Sequence, residues 1–427
     1  MEYKEYELGE LIEYRNEKLL IENVSLENYI STENLLPNRS GKQNAEKLPN
    51  TKSVKKYYEN DILISNIRPY FKKIWQAEIP GGASNDVLIL NSCSNKVTND
   101  YLYYYLSQDK FFDYMTQTAK GTKMPRGDKK AILDYEIKVP NIKHIQNYIV
   151  NLGKNIDKKI ETNKKIIANL EELSQTLFKR WFVDFEFPDE NGNPYKSSGG
   201  EMIDSELGEI PDGWNVKNLK DIAFCQNGYA FYKLGYSNSG YFAVDLGNIN
   251  INSQFVYTNK DKFISKDIID EKKEKFILNK NDLVMVMTDR TQEMNILGRT
   301  ARIPKSNKYV LNQRIFRLRA KNKHILTYLQ AMLNSVEIRN QLKMKSLGSA
   351  QKYINTKHIT ELSIKCPDNE LIKNFYRSCE NYFIKSEMLN EEIEKLTQLR
   401  DTLLPKLMSG EIEIPDDIEV NEDELSI

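Results

Sequence analysis

The side chains that could do chemistry in this sequence gather around two glycines. Lys120-Gly121-Thr122-Lys123-Met124-Pro125-Arg126 sets three cations and a hydroxyl about one of them. Leu347-Gly348-Ser349-Ala350-Gln351-Lys352 is its counterpart, 227 positions further on. Glycine lets backbone approach a large ligand, lysine and arginine neutralise phosphates, and Arg, Gln, Ser and Thr bond to base edges. The chemistry these loops offer is nucleic-acid contact. The plainer reading is a solvated surface loop. Weaker candidates are Arg68, Lys72 and Lys73, then Arg290 with Thr291, Arg299, Arg302 and Arg314. For each of these cations an ordinary salt-bridge role is the alternative. The tyrosine row Tyr101–Tyr105 sits at helical spacing and reads as core and interface, not as a base-stacking platform.

Covalent and metal chemistry is not legible. The sequence has no Gly-x4-Gly-Lys-[Ser/Thr] loop, no Asn-Pro-Pro-[Phe/Tyr] and no His-Glu-x-x-His. Cys93, Cys225, Cys366 and Cys379 form no Cys-x-x-Cys pair, and His144, His324 and His358 have no ligand spacing. Pro367-Asp368-Asn369-Glu370 with Lys373 has the residue types of a nuclease site but the wrong spacing, and reads as a capped helix start. The expectation is a non-catalytic chain with no metal and no cofactor of its own.

Composition adds bounds. The 427 residues are 40% hydrophobic and 29% charged, enough for two or three domains with real cores. Lys and Arg balance Asp and Glu at 61 each, so net charge argues neither for nor against a nucleic-acid partner. The charges are unevenly spread, with an acidic tail over 413–427. No apolar run is long enough to span a bilayer, and the N-terminus has no signal-peptide pattern. A cytoplasmic protein without a membrane partner is expected.

The elements that must position the two glycine loops repeat. Gly121 to Pro140 and Gly348 to Pro367 have the same spacing, with Ile137-Lys138-Val139 and Ile364-Lys365-Cys366 before the prolines. Tyr58–Ser65 resembles Leu278–Met285, each a turn followed by a short apolar strand signal. Tyr101–Leu106 corresponds to Ile325–Leu329 as a helical pattern. The chain therefore reads domain, helix, domain, helix.

A long helical pattern follows each proline. Ile149, Ile156, Asn163, Leu170 and Leu177 fall at seven-residue steps, accompanied by Ile145, Leu152, Ile166 and Leu173. Phe375, Tyr382, Leu389, Leu396 and Leu403 do the same, accompanied by Ile393 and Leu407. Sustained heptads favour a coiled coil, roughly 55–60 Å long at 1.5 Å per residue. Asn141 and Asp368 are expected to cap the two helices, and Pro405 to end or kink the second before Gly410. Asn163 is either a buried register device or solvent-facing. The expected fold is α+β: two similar mixed α/β domains separated by two long antiparallel helices forming a coiled coil, with pseudo-two-fold symmetry. The expected boundaries are 1–140, 141–187 (helix), 188–367 (linker and second domain), 368–412 (helix) and 413–427 (tail).

These residues together resemble the specificity (S) subunit of type I restriction-modification systems. The resemblance is carried by Asp204-Ser205-Glu206-Leu207-Gly208-Glu209-Ile210-Pro211-Asp212-Gly213-Trp214, by Thr176–Phe185 and by Leu399–Ile412. Met287-Thr288-Asp289-Arg290-Thr291-Gln292-Glu293 and Leu311-Asn312-Gln313-Arg314-Ile315 match a recurring second-domain pattern. The first domain keeps only a Leu-Gly-x-x-Ile flavour at Leu8–Ile12. The resemblance implies a bacterial or archaeal protein that reads double-stranded DNA, one half of a split target per target-recognition domain. It implies two modification (methyltransferase) subunits as partners, joined by restriction subunits. It places S-adenosylmethionine in the modification subunit, and ATP and Mg in the restriction subunit. Adenine-N6 methylation and ATP-dependent cleavage belong to that assembly. The alternatives are a stand-alone DNA-binding regulator and a coiled-coil scaffold.

Overall fold

The computed structural model describes residues 2–258, 261–349 and 351–415. The expected acidic tail lies outside the described residues from 416 onward, as does Ala350 of the second glycine loop. The chain divides into two compact units, Met1–Asn163 with Glu391–Ile427, and Lys164–Asn390. The long helical segments expected as separate pieces are therefore each shared between the units.

The two units have the same internal plan. In the first, a four-stranded antiparallel sheet runs Ile12–Tyr14, Val87–Ser92, Ile62–Ser65, Ile74–Gln76. In the second the order is Ala223–Asn227, Ile315–Ala320, Leu283–Val286, Thr300–Arg302. The central strands Ile62–Ser65 and Leu283–Val286 are buried along their whole length, which is why their sequences are apolar runs without alternation. Each unit adds a second four-stranded sheet with one parallel pair, Tyr29–Ile30 beside Gly81–Ala83 and Tyr241–Val244 beside Tyr309–Leu311.

The repeat extends to single hydrogen bonds. Asp61 and Asp282 precede the central strands and are almost wholly buried. Each accepts from the backbone three residues earlier, Tyr58 at 2.8 Å and Asn279 at 2.8 Å, and each carries an arginine, Arg15 at 2.7 Å and Arg319 at 2.6 Å. A buried carboxylate is tolerable only with such partners. Tyr101 donates to the Lys138 carbonyl at 3.0 Å, and Tyr328, 227 positions on, donates to that of Lys365. Tyr101 and Tyr104 are core residues, as their helical spacing suggested.

The first long helix is Lys143–Phe178, extended by a π-turn over Lys179–Val183; the second is Asn369–Ser409. Asp368 caps the second, accepting from the Glu370 and Leu371 amides at 2.8 Å. Asn141 instead bonds through its side chain to Glu2 at 2.7 Å. The second helix does not end at Pro405. The helix continues to Ser409 because Leu404, Leu407 and Met408 on that turn are buried in the first unit's core. That burial outweighs one lost backbone bond. Gly410, at φ 78°, then ends it.

The heptad reading needs one correction. Ile149, Ile156 and Asn163 are buried, Leu170 and Leu177 half-buried. Their companions are not Ile166 and Leu173, which are exposed, but Gly153, Ile160, Ile167 and Ser174. Burial thus advances in steps of four and three along the helix, and two of the seam residues are too small to register as apolar. Gly153 has its own reason: a Cβ there would lie 2.7 Å from the Tyr104 ring. On the second helix Phe375 and Leu389 are buried, and Tyr382, Leu396 and Leu403 half-buried. Within the first unit Asp157 pairs with Arg400 at 2.7 Å and Asn163 with Glu392 at 2.9 Å, so the two helices are antiparallel there. Within the second, the Phe178 and Trp181 rings pack against Phe375.

Candidate nucleic-acid interface

Both glycine loops are closed the same way. The Lys120 and Arg126 backbones exchange bonds of 2.8 and 2.9 Å, and Leu347 and Tyr353 exchange bonds of 2.8 and 3.0 Å. Gly121 and Gly348 both adopt φ 90°, a left-handed conformation that a side chain disfavours. Asp128 and Asn355, again 227 apart, follow the loops and cap short helices. In the first loop Lys120, Gly121, Thr122, Lys123 and Arg126 are exposed. Lys120 reaches Asp128 and Arg126 reaches Asp86 at 3.2 Å. The Lys120 contact holds the half-buried Asp128 carboxyl below the usual range. Arg68, exposed and at φ 48°, donates its backbone amide to Pro125 at 2.8 Å, so it stands beside this loop.

Lys72 and Lys73 are not brought to that surface as free cations. Lys72 bonds Asp109 at 2.7 Å, and Lys73 bonds the Thr32 carbonyl. Burial lowers the pKa of both ammonium groups.

In the second unit the loop pairs with a short strand, Thr288 opposite Tyr353 and Asp289 opposite Lys352. Ser349 is exposed and its carbonyl accepts from Gln292 at 3.0 Å; Gln351 and Lys352 are half-buried. Arg290 and Thr291 are exposed next door. Asp289 organises this turn. Burial opposes its ionisation, but hydrogen bonds from Thr291 and from the Ile296 and Leu297 amides outweigh that and lower its pKa. Arg314 is exposed at φ 72° on the adjoining turn.

Arg299 and Arg302 have structural work instead. Arg302 is clamped by Glu380 at 2.8 and 3.2 Å and bonds Gln330 at 2.9 Å. Arg299 contacts Ser253 at 3.3 Å, and burial, then the neighbouring Arg339, push its pKa down to about 10.

Residues that the sequence reading did not single out complete this region. Asn227, Gly228, Thr288 and Gln313 line an open cavity of about 480 Å³ together with Met287, Arg314, Gln351, Tyr353 and Ile354. The signal was present, since Gln313 and Thr288 lie in two quoted sequence patterns, but neither pattern says which side chain faces outward. Among the described residues no His/Cys/Asp/Glu group could hold a metal ion, and no helix is long and apolar enough to cross a membrane.

Two copies of one α/β plan, each presenting a glycine-held polar loop with different side chains, define a duplicated recognition protein. The chain belongs to the type I restriction modification DNA specificity domain family, whose model matches residues 1–172 and 211–398. Its role is that of the family, DNA sequence specificity in a type I restriction-modification system, and its relatives are specificity subunits. That of the type I restriction enzyme MjaIX from Methanocaldococcus jannaschii is 26% identical over 332 residues, covering 74% of this chain and 70% of that one. That of the HindI enzyme from Haemophilus influenzae is 23% identical, covering 96% of this chain and 100% of that one. The crystal structure of a type I S subunit from M. genitalium covers 97% of both chains at a TM-score of 0.54 and 14% identity, a shared fold.

Proposed function

We propose that this chain reads a two-part duplex target, each unit recognising one half, while the two long helices pair as a coiled coil and set the unread spacer. The observation that carries the reading is the loop pair. Gly121 and Gly348 share one backbone geometry, yet in sequence Lys123 and Arg126 of one loop are replaced by Ala350 and Tyr353 in the other. A shared scaffold with different outward side chains suits two different half-sites. Lys120, Lys123, Arg126 and Arg68 serve the first half, and Arg290, Thr291, Ser349, Gln351, Lys352 and Arg314 the second.

The chain is non-catalytic and works with two modification subunits, which restriction subunits join, in the cytoplasm. S-adenosylmethionine belongs to the modification subunit, and ATP and Mg to the restriction subunit. Ile166 and Leu173 on the first helix and Ile384 and Met388 on the second are exposed and apolar, which supports protein docking along the helices. The spacer role is tested by inserting one heptad into each helix at the level of Asn163 and Glu391. Seven residues add about 10 Å, or about three base pairs at 3.4 Å each. The methylated site should keep both halves and gain that spacing; an unchanged spacer refutes the ruler.

A further inference from the structure

The open cavity of the second unit carries polar groups that lack hydrogen-bond partners. Thr288 Oγ1 and Gln351 Nε2, which line it, and Asn312 Oδ1 on the adjoining turn are buried and have no hydrogen-bond partner among the described residues. A buried polar group without a partner in the protein is free to take one from a ligand. Gln313 and Arg314 stand exposed at the rim, on the tight turn between Tyr309–Leu311 and Ile315–Ala320. The turn is fixed from both sides. Met287 donates its amide to the Arg314 carbonyl at 3.0 Å. Gly228 lies so close that a Cβ there would meet the Asn312 carbonyl oxygen at 1.9 Å. A turn held this firmly presents its side chains at a defined height and angle.

The first unit bonds the equivalent turn in the same way, although Asp86 does not share the left-handed φ of Arg314. Asn66 donates to the Asp86 carbonyl at 2.9 Å as Met287 does to that of Arg314, and Val87 donates to Ser84 at 3.1 Å as Ile315 does to Asn312 at 3.3 Å. Asn85-Asp86 therefore occupies the backbone position of Gln313-Arg314. An amide side chain stands at the first place in both, and a carboxylate replaces the guanidinium at the second.

We infer that Gln313 and Arg314 are specificity-determining residues that read base edges of the second half-site, with Thr288 and Gln351 supplying the polar floor beneath them. A glutamine amide matches the adenine N6/N7 edge and arginine the guanine O6/N7 edge of the major groove. The inference rests on the two-part reading proposed above and names the side chains that do the discriminating in one half of it.

The test uses the full chain assembled with its modification subunit and a randomised duplex library, with the selected sequences read out. Three chains are compared: wild type, Gln313→Ala, and a double variant with Gln313→Asn and Arg314→Asp, the pair present in the first unit. Both positions are exposed, so thermal melting should stay unchanged. Each variant should lose or change preference at one or two base pairs of one half-site by at least about tenfold, with the other half-site unaltered. If both variants select the wild-type site unchanged, or lose affinity equally for all sequences, the inference is overturned while the two-part reading stands. If wild type selects no two-part site, the parent reading fails and takes the inference with it.

Discussion

Asn163 donates from Nδ2 to Oε2 of Glu392 at 2.9 Å, joining the two long helices within the first unit. Asn163 is 2% exposed, whereas the Glu392 side chain is 42% exposed. The asparagine is thus a buried polar group in an otherwise apolar row, the device that fixes register at a cost in stability. Asn163→Leu should raise stability by about 1 kcal/mol, because Glu392 stays solvated when its partner goes. Urea unfolding should show a higher midpoint with the same slope. A lower midpoint would mean that the hydrogen bond is worth more than the apolar contact.

Arg302 separates structure from recognition. Its side chain and that of Glu380 are each 13% exposed, and Thr327 donates to the same carboxylate. Arg302→Ala leaves that carboxylate buried and unpaired and should cost about 3 kcal/mol in denaturant unfolding. The bases selected at both half-sites should not change. A relaxed half-site with unaltered stability would return Arg302 to the DNA surface.

The exposed and the tied lysines should differ in salt dependence. Lys123→Ala should flatten the plot of log affinity against log salt by about one, near 0.9 per phosphate contact. Lys72→Ala should leave the slope unchanged, since Asp109 already holds that cation. Equal effects from both would show that the glycine loop is not the phosphate contact.

Asp289 predicts an acid dependence. Its pKa is lowered from the ordinary 3.8 in the folded state, so the unfolded state binds the proton more readily. Its contribution is therefore fully present above about pH 4 and is lost as pH falls through the folded value. Asp289→Asn keeps the shape but not the charge. Stability of the variant should fall less steeply than that of wild type below pH 4, as followed by thermal melting. Parallel curves would show that the Asp289 charge does not hold the turn.

The repeat was legible because its landmarks are strong single-residue requirements. A glycine at φ 90° and a proline opening a helix leave marks that survive divergence, and the Tyr101 and Tyr328 bonds fall at the same 227-residue offset. The helix seam was half legible. Ile149 and Ile156 announce it, but Gly153 and Ser174 do not look like seam residues until Tyr104 and the second helix are in place. Continuation through Pro405 was hidden because it depends on where Leu407 and Met408 are buried. The Arg302–Glu380 pair spans 78 positions and has no local signature. Gln313 was visible as part of a pattern, but only the fold shows it at the rim of a cavity.

The most direct test of two-part recognition is methylation mapping of the host DNA with and without this gene. The account predicts an asymmetric motif of two short specified halves around an unread gap, methylated only when the gene is present. A motif that persists without the gene, or methylation with no two-part sequence, would contradict it.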